Sequence, residues 1–247
     1  MDFQYVSDLH TEVLGSTPVR IEPRAPILLL AGDVGRPGHP AYAALLDSVS
    51  ESFQHVFLVA GNHEYYHESI AGGEARLVEA TSGRQNLTYL QNHAVHLPDS
   101  DVSIFGGTFW TSIPPSERAL CVGLVADYEL IVGFTPAQST RLHEAAVDAL
   151  EAALEATPGR RWVVVSHHMP KRSLVAPRWK NYPATAAFAC DVRLADDPRI
   201  VAWVYGHTHT AAEDGKFHCN PRGYPGENPG RDLHRVLRIC IYRGVSL

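Results

Sequence analysis

Ile27-Leu28-Leu29-Leu30-Ala31-Gly32-Asp33 is a run of five aliphatic residues followed at once by a glycine and a carboxylate. An unbroken aliphatic run of this length predicts a strand buried on both faces, the kind found in a sheet covered by helices. The segment behind it agrees, because Pro40 to Phe53 places Ala41, Leu45, Val49 and Phe53 four apart, as one face of a helix does. On either side of this unit, Phe3 to Ser7, His55 to Ala60, Arg161 to Ser166, Ile200 to Tyr205 and Val236 to Tyr242 also read as strands. Short strands around Leu87 to Leu90, Ala94 to Leu97 and Val102 to Phe109 have short connections and are expected to be antiparallel. Pro136 to Ala156 is the clearest helix: Thr135 and Gln138 form a capping box, Pro136 takes the first position, and Pro158-Gly159 ends it. A weaker helix, Glu68 to Thr81, is interrupted by Gly72-Gly73, and Thr111 to Phe134 reads as a long irregular insertion. Strands alternating with helices specify an α/β domain.

The decisive pattern lies at the ends of the strands. Asp8-Leu9-His10, Gly32-Asp33, Gly61-Asn62-His63-Glu64, His167-His168 and Gly206-His207-Thr208-His209 each come directly after a strand-like run. Loops at the carboxyl ends of strands line one edge of an open α/β sheet, so these clusters are expected to converge there. Oxygen from Asp8, Asp33 and Asn62 with nitrogen from His10, His167, His207 and His209 suits borderline divalent ions such as Mn, Fe, Zn, Co or Ni. Seven ligands are too many for one ion with open positions, and they serve two ions if Asp33 bridges. Val164 and Val165 each permit a V-x-x-H reading, so His167 and His168 both stand as ligand candidates; His167, first past the strand, is preferred.

Composition narrows the alternatives. The 247 residues are 45% hydrophobic and 19% charged, with a formal net charge of −6, an ordinary globular balance that disfavours nucleic acid as a partner. The sequence contains 14 histidines against two methionines, and imidazole is a metal ligand. Cys121, Cys190, Cys219 and Cys240 form no C-x-x-C pair and read as reduced thiols. The N-terminus lacks a basic and an apolar region of a leader, and no apolar run approaches a bilayer span, so a cytoplasmic location without membrane contact is expected. No linker composition separates domains, and residues 1–247 are expected to form one.

The ordered set D-x-H, G-D, G-N-H-[DE], strand-His and G-H-x-H, running here from Asp8 to His209, resembles the calcineurin-like metallophosphoesterases. The later stretch through Asn220-Pro221-Arg222-Gly223-Tyr224 is similar to a group of small bacterial members. The resemblance implies a four-layer α/β/β/α sandwich of two mixed sheets flanked by helices. It also implies a dinuclear phosphohydrolase cleaving phosphate mono- or diesters of a small substrate through a metal-activated hydroxide. By position, Asp8, His10 and His209 would hold one ion, Asn62, His167 and His207 the other, and Asp33 both. His63 would contact the phosphate and protonate the leaving oxygen, with Asn62, Arg36 and His168 as further substrate contacts.

The sequence departs from the protein phosphatases of that family, which resemble G-D-x-V-D-R-G and R-G-N-H-E. Here the second Asp and the Arg are missing, which removes the usual carboxylate partner of the catalytic histidine. Arg36 is a candidate replacement charge. Lys171, Arg172, Arg178 and Lys180, in the loop after His167-His168, could meet an anionic substrate. A cyclic nucleotide phosphodiesterase or a nuclease would use the same metals; a non-catalytic scaffold is disfavoured because every ligand position is kept.

Overall fold

The computed structural model describes residues 1–13, 19–228 and 232–240. The first sheet contains β1 (Asp2–Val6), β2 (Ile27–Ala31), β3 (His55–Val59) and β4 (Leu87–Tyr89), all parallel in that order. The chain returns at its end to add β11 (Val236–Arg238) antiparallel to β1. The second sheet runs β5 (His93–His96), β6 (Val102–Gly107), β7 (Arg161–Ser166), β8 (Ile200–Tyr205), β10 (Phe217–Cys219) and β9 (Ala212–Asp214). Its four inner strands are parallel and its two edge strands antiparallel, so both sheets are mixed.

The layers follow from strand alternation. Leu29, fully buried between Tyr5 and Phe57 in register, turns with them toward the other sheet. There these residues join Ile104, Val163, Val165 and Val204 in one core. Leu28 and Leu30 turn the opposite way, onto Leu45, Leu46 and Val49 of α1 (Pro40–Ser52) and Leu77 of α2 (Ile70–Thr81). On the far side Phe105, Trp162, Val164 and Trp203 pack against Ala146, Val147, Leu150 and Leu154 of the helix Pro136–Ala156. The result is an α/β/β/α sandwich. The aliphatic run of β2 is unbroken because each of its faces meets an apolar layer.

Where the fold departs from the sequence reading, the reasons are local. The strands near Leu87 and Ala94 are not antiparallel partners: the first extends one sheet and the second begins the other. Leu90 N–H donates to Leu58 C=O at 2.7 Å, and two residues later Asn92 N–H donates to Gly106 C=O at 2.8 Å. A short connection is therefore as compatible with a change of sheet as with a hairpin. Gly72-Gly73 does not interrupt α2, which Ser69 caps by accepting from Gly72 N–H. Gly73 is instead the point where Tyr65 lies against the helix, and an added Cβ would stand 2.5 Å from its ring. The stretch Thr111 to Phe134 is not wholly irregular, since it carries α3 (Arg118–Leu124) and α4 (Asp127–Leu130). Helices of one or two turns are too short to show a period. The helix Pro136–Ala156, here α5, has the expected bounds, with Thr135 Oγ1 accepting from Gln138 N–H at 3.2 Å. Ile241 and Tyr242 of the last expected strand, and 229–230 of the loop before it, lie outside the described residues. Among the described residues no helix is long and apolar enough to cross a membrane. The four cysteines are free, with Cys121, Cys190 and Cys219 buried and Cys240 exposed.

Candidate metal centre

The loops that leave β1, β2, β3, β7 and β8 meet at one end of the paired sheets, and backbone hydrogen bonds lock them to one another. Asp8 N–H donates to Gly32 C=O, His10 N–H to Asp33 C=O, and Gly206 N–H to His167 C=O, each at 3.0 Å. Asp8, His10, Asp33, His207 and His209 all have φ between 46° and 71°. A left-handed backbone is uncommon for residues with a Cβ and tends to persist where surrounding contacts impose it. Gly61 serves the site by its lack of a side chain, since a Cβ there would run into the Asp33 carboxylate and only glycine lets these two loops close. Glu64 staples them from below. Its buried carboxylate accepts N–H groups from Gly61 at 2.7 Å, Val34 at 2.8 Å and Asp33 at 3.1 Å. Burial first, then the charge on Asp33, push the Glu64 carboxyl up to about 8.

The side chains form two outer groups joined by a third, His10, Asp33 and His63, that shares a residue with each. Asp8, His10 and His209 make the first, with His10 Nε2 2.9 Å from His209 Nε2 and His209 Nε2 3.4 Å from Asp8 Oδ1. Asp33, His167 and His207 make the second, with His167 Nε2 3.4 Å from Asp33 Oδ2 and 3.2 Å from His207 Nδ1. Asn62 Oδ1 lies 3.0 Å from the same His167 nitrogen. The second Asp33 contact, 3.9 Å from Oδ2 to His10 Nε2, places this carboxylate between the groups. Every residue expected to ligate a metal is therefore within this cluster. His167 turns its Nε2 into it, whereas His168 stacks behind His207 at 4.3 Å with its own Nε2 buried and without a hydrogen bond among the described residues.

The outer nitrogens of these rings show that the cluster suits divalent cations. His167 Nδ1 donates to Ala31 C=O at 2.9 Å and His209 Nδ1 to Glu227 at 2.6 Å. With those protons outside, Nε2 of neutral His167 and of neutral His209 is left to present a lone pair inward, as a metal ligand does. Burial would depress both rings, yet Asp33 holds His167 up at about 10 and Asp8 holds His209 up at about 9. The carboxylates thus draw protons to the positions that cations would take. Burial would raise Asp33 itself, and the charges on His167, His63 and His10 outweigh it and hold the carboxyl well below its usual range. His168 goes the other way, held down at about 3 by burial and by His167.

Three carboxylates that sequence reasoning missed stand behind this set. Glu12 Oε1 meets His63 Nδ1 at 2.9 Å, so the histidine does have a carboxylate partner, supplied from the first loop in place of the second. Burial tends to lower His63, but Asp33 and Glu12 together raise it. Asp127, from the stretch expected to be irregular, accepts Asn62 Nδ2 at 2.8 Å and Tyr66 OH at 2.8 Å, which turns Asn62 Oδ1 toward His167. Glu227 supports His209. Glu12, two residues past His10, was discoverable as an extension of D-x-H; Asp127 and Glu227 carry no local signal. Tyr224, at the end of the Asn220–Tyr224 stretch, lies 4.5 Å from the His10 ring and its OH 3.3 Å from His63 Nε2.

The cluster forms the floor of a cavity of about 440 Å³, reached by Asp33, Asn62, His63, His207 and His209. Arg36 and His168, expected as substrate contacts, are not among its lining residues. His168 sits behind the floor, and Arg36 lies half-buried beyond Asp33. Of the charged residues in the loop after β7 only Arg178 lines it; Lys171 is paired with Asp196 at 2.8 Å.

A family model described as calcineurin-like phosphoesterase matches residues 5–211. An uncharacterized protein of Acanthamoeba polyphaga mimivirus is 26% identical over 237 residues, covering 83% of this chain and 84% of that one. The structure of a phosphopantetheinyl hydrolase from Mycobacterium tuberculosis superposes with a TM-score of 0.73 at 22% identity, covering 91% of this chain and 90% of that one.

Proposed function

This chain belongs to the calcineurin-like phosphoesterase family and is a hydrolase acting on ester bonds, and from that premise we propose that it cleaves phosphate mono- or diesters with two divalent metal ions. Asp8, His10 and His209 would hold one ion and Asn62, His167 and His207 the other, with Asp33 common to both. When bound, such ions supply Lewis acidity toward phosphoryl oxygens and acidify water. The observation that carries this reading is the place of Asp33, between two histidine groups whose inner nitrogens face each other.

The protein's own groups do the rest. Asp127 and Tyr66 hold Asn62 in its rotamer, and Glu227 and Ala31 set the tautomers of His209 and His167. His63 reaches the cavity with Nδ1 against Glu12 and Nε2 toward Tyr224. In hydrolysis a water oxygen bonds to phosphorus and gives up one proton to solvent as the bond to the leaving oxygen breaks, the His63 Nε2 proton passes to that leaving oxygen, and His63 regains a proton from solvent afterwards.

The test is elemental analysis after growth with Mn, Fe or Zn, together with hydrolysis of phosphomonoesters, linear diesters and cyclic diesters. A phosphopantetheinyl ester, the class named for the similar Mycobacterium tuberculosis structure, belongs in that panel. Two ions per chain and turnover of at least one ester are expected. One ion or none, with no ester cleaved, sinks the reading. The nuclease and cyclic nucleotide alternatives fall within the same panel. The first is disfavoured by the net charge and by a cavity with one arginine and no lysine among its described lining residues.

A further inference from the structure

A phosphoryl group fills only a small part of a 440 Å³ cavity, and the remaining walls have a character unlike the floor. The apolar part comes from two segments, the end of α3 with Leu124 and Val125, and the loop after β7 with Trp179, Tyr182 and Phe188, while Tyr66, Tyr224 and Glu227 line the cavity elsewhere. The segments meet where Tyr182 OH donates to Leu124 C=O at 3.3 Å. Phe188 stacks on His207 at 5.0 Å between ring centres, so the apolar wall begins at the candidate metal centre itself. Farther out, Leu124 and Trp179 remain 45% and 44% exposed although both line the cavity. Large apolar side chains held open to solvent beside a reactive floor point to a ligand that covers them. Arg178 adds charge at the same place. It lies 5.4 Å over the Trp179 ring, its Nη2 donates to Thr210 Oγ1 at 3.0 Å, and it has no salt bridge among the described residues.

We propose that the ester cleaved here has a leaving group with an apolar, ring-containing body and a second anionic group. The ring lies against Trp179 and Leu124, and the anion pairs with Arg178. This rests on the phosphoesterase reading and adds the substrate class to it. Small alkyl phosphates reach only the floor, leaving both walls wet, whereas a ring recovers the apolar surface and an anion neutralises a guanidinium that has no carboxylate partner among the described residues.

Binding of unreactive phosphonates to the metal-loaded protein, followed by calorimetry, separates the parts. Phenylphosphonate is expected to bind about tenfold more tightly than methylphosphonate, and 4-carboxyphenylphosphonate about tenfold more tightly again. Trp179→Ala or Leu124→Ser should bring the phenyl-to-methyl ratio to within about threefold of unity, and Arg178→Met should abolish the gain from the carboxylate alone. Three wild-type affinities within about threefold of one another, or ratios that the variants do not move, overturn the proposal. Failure of all three probes to bind a metal-loaded protein overturns the phosphoesterase reading as well, whereas binding without discrimination overturns the substrate class only.

Discussion

At the residue scale the candidate centre is organised around Asp33, whose carboxylate lies 3.4 Å from His167 and 3.9 Å from His10. Asp33→Ala is expected to lower the content of both ions together, because each group loses a carboxylate oxygen. His63→Ala should keep the metal and lower turnover by roughly 10²–10⁴-fold, the usual worth of a positioned proton donor. Elemental analysis beside kcat distinguishes them, and equal metal loss in both variants contradicts the roles. Gly61→Ala belongs at this scale too. The new methyl group would press on the Asp33 carboxylate and stand 2.5 Å from its backbone nitrogen, costing about 1–3 kcal/mol in stability by overpacking. A urea titration with unchanged midpoint would show that the two loops can part. These residues were legible because the family pattern places one ligand cluster at each strand end. Glu12 was missed for the opposite reason: the familiar pattern expects the partner of His63 on the second loop, and here it is on the first.

At the scale of elements, α5 docks its buried face on the second sheet and also anchors the loop that leaves β6. His143 Nδ1 donates to Trp110 C=O at 2.7 Å, and Cys190 Sγ lies 3.5 Å from the same nitrogen. Burial holds this imidazole below its ordinary pKa. The unfolded chain therefore binds a proton that the folded chain does not once the pH falls below about 6.5, and stability declines from there toward the folded pKa. With His143→Gln this contribution vanishes. Unfolding free energy followed between pH 7 and 5 at constant metal should have a shallower slope, by up to about 1.4 kcal/mol per pH unit, one proton's worth. Identical slopes would mean that His143 carries the same charge in the folded and unfolded chain. The helix itself was legible from its capping and period. The short helices α3 and α4 were not, since seven and four residues supply no repeat, and with them Asp127 escaped notice.

For the whole molecule, the candidate metal centre lies where two sheets and five loops converge, so metal bound there would tie the sandwich together. Removing metal with a chelator should lower the melting temperature, and restoring Mn or Zn should return it. A site filled at about a thousand times its dissociation constant contributes about 4 kcal/mol, if the unfolded chain does not bind. Calorimetry with and without chelator measures this, and a melting temperature indifferent to metal would contradict a centre built from both sheets. Apart from β9 and β10, which no local pattern marked, the strand runs, the long helix and the order of polar clusters were determined by sequence alone, because each depends on neighbours within a turn or a pleat. Only the tertiary structure decided which sheet received β4 and which β5, and which carboxylates stand behind His63, Asn62 and His209. Those pairings join residues 51, 65 and 18 positions apart, and their partners are chosen by how the sheets stack, a property that no local stretch of chain contains.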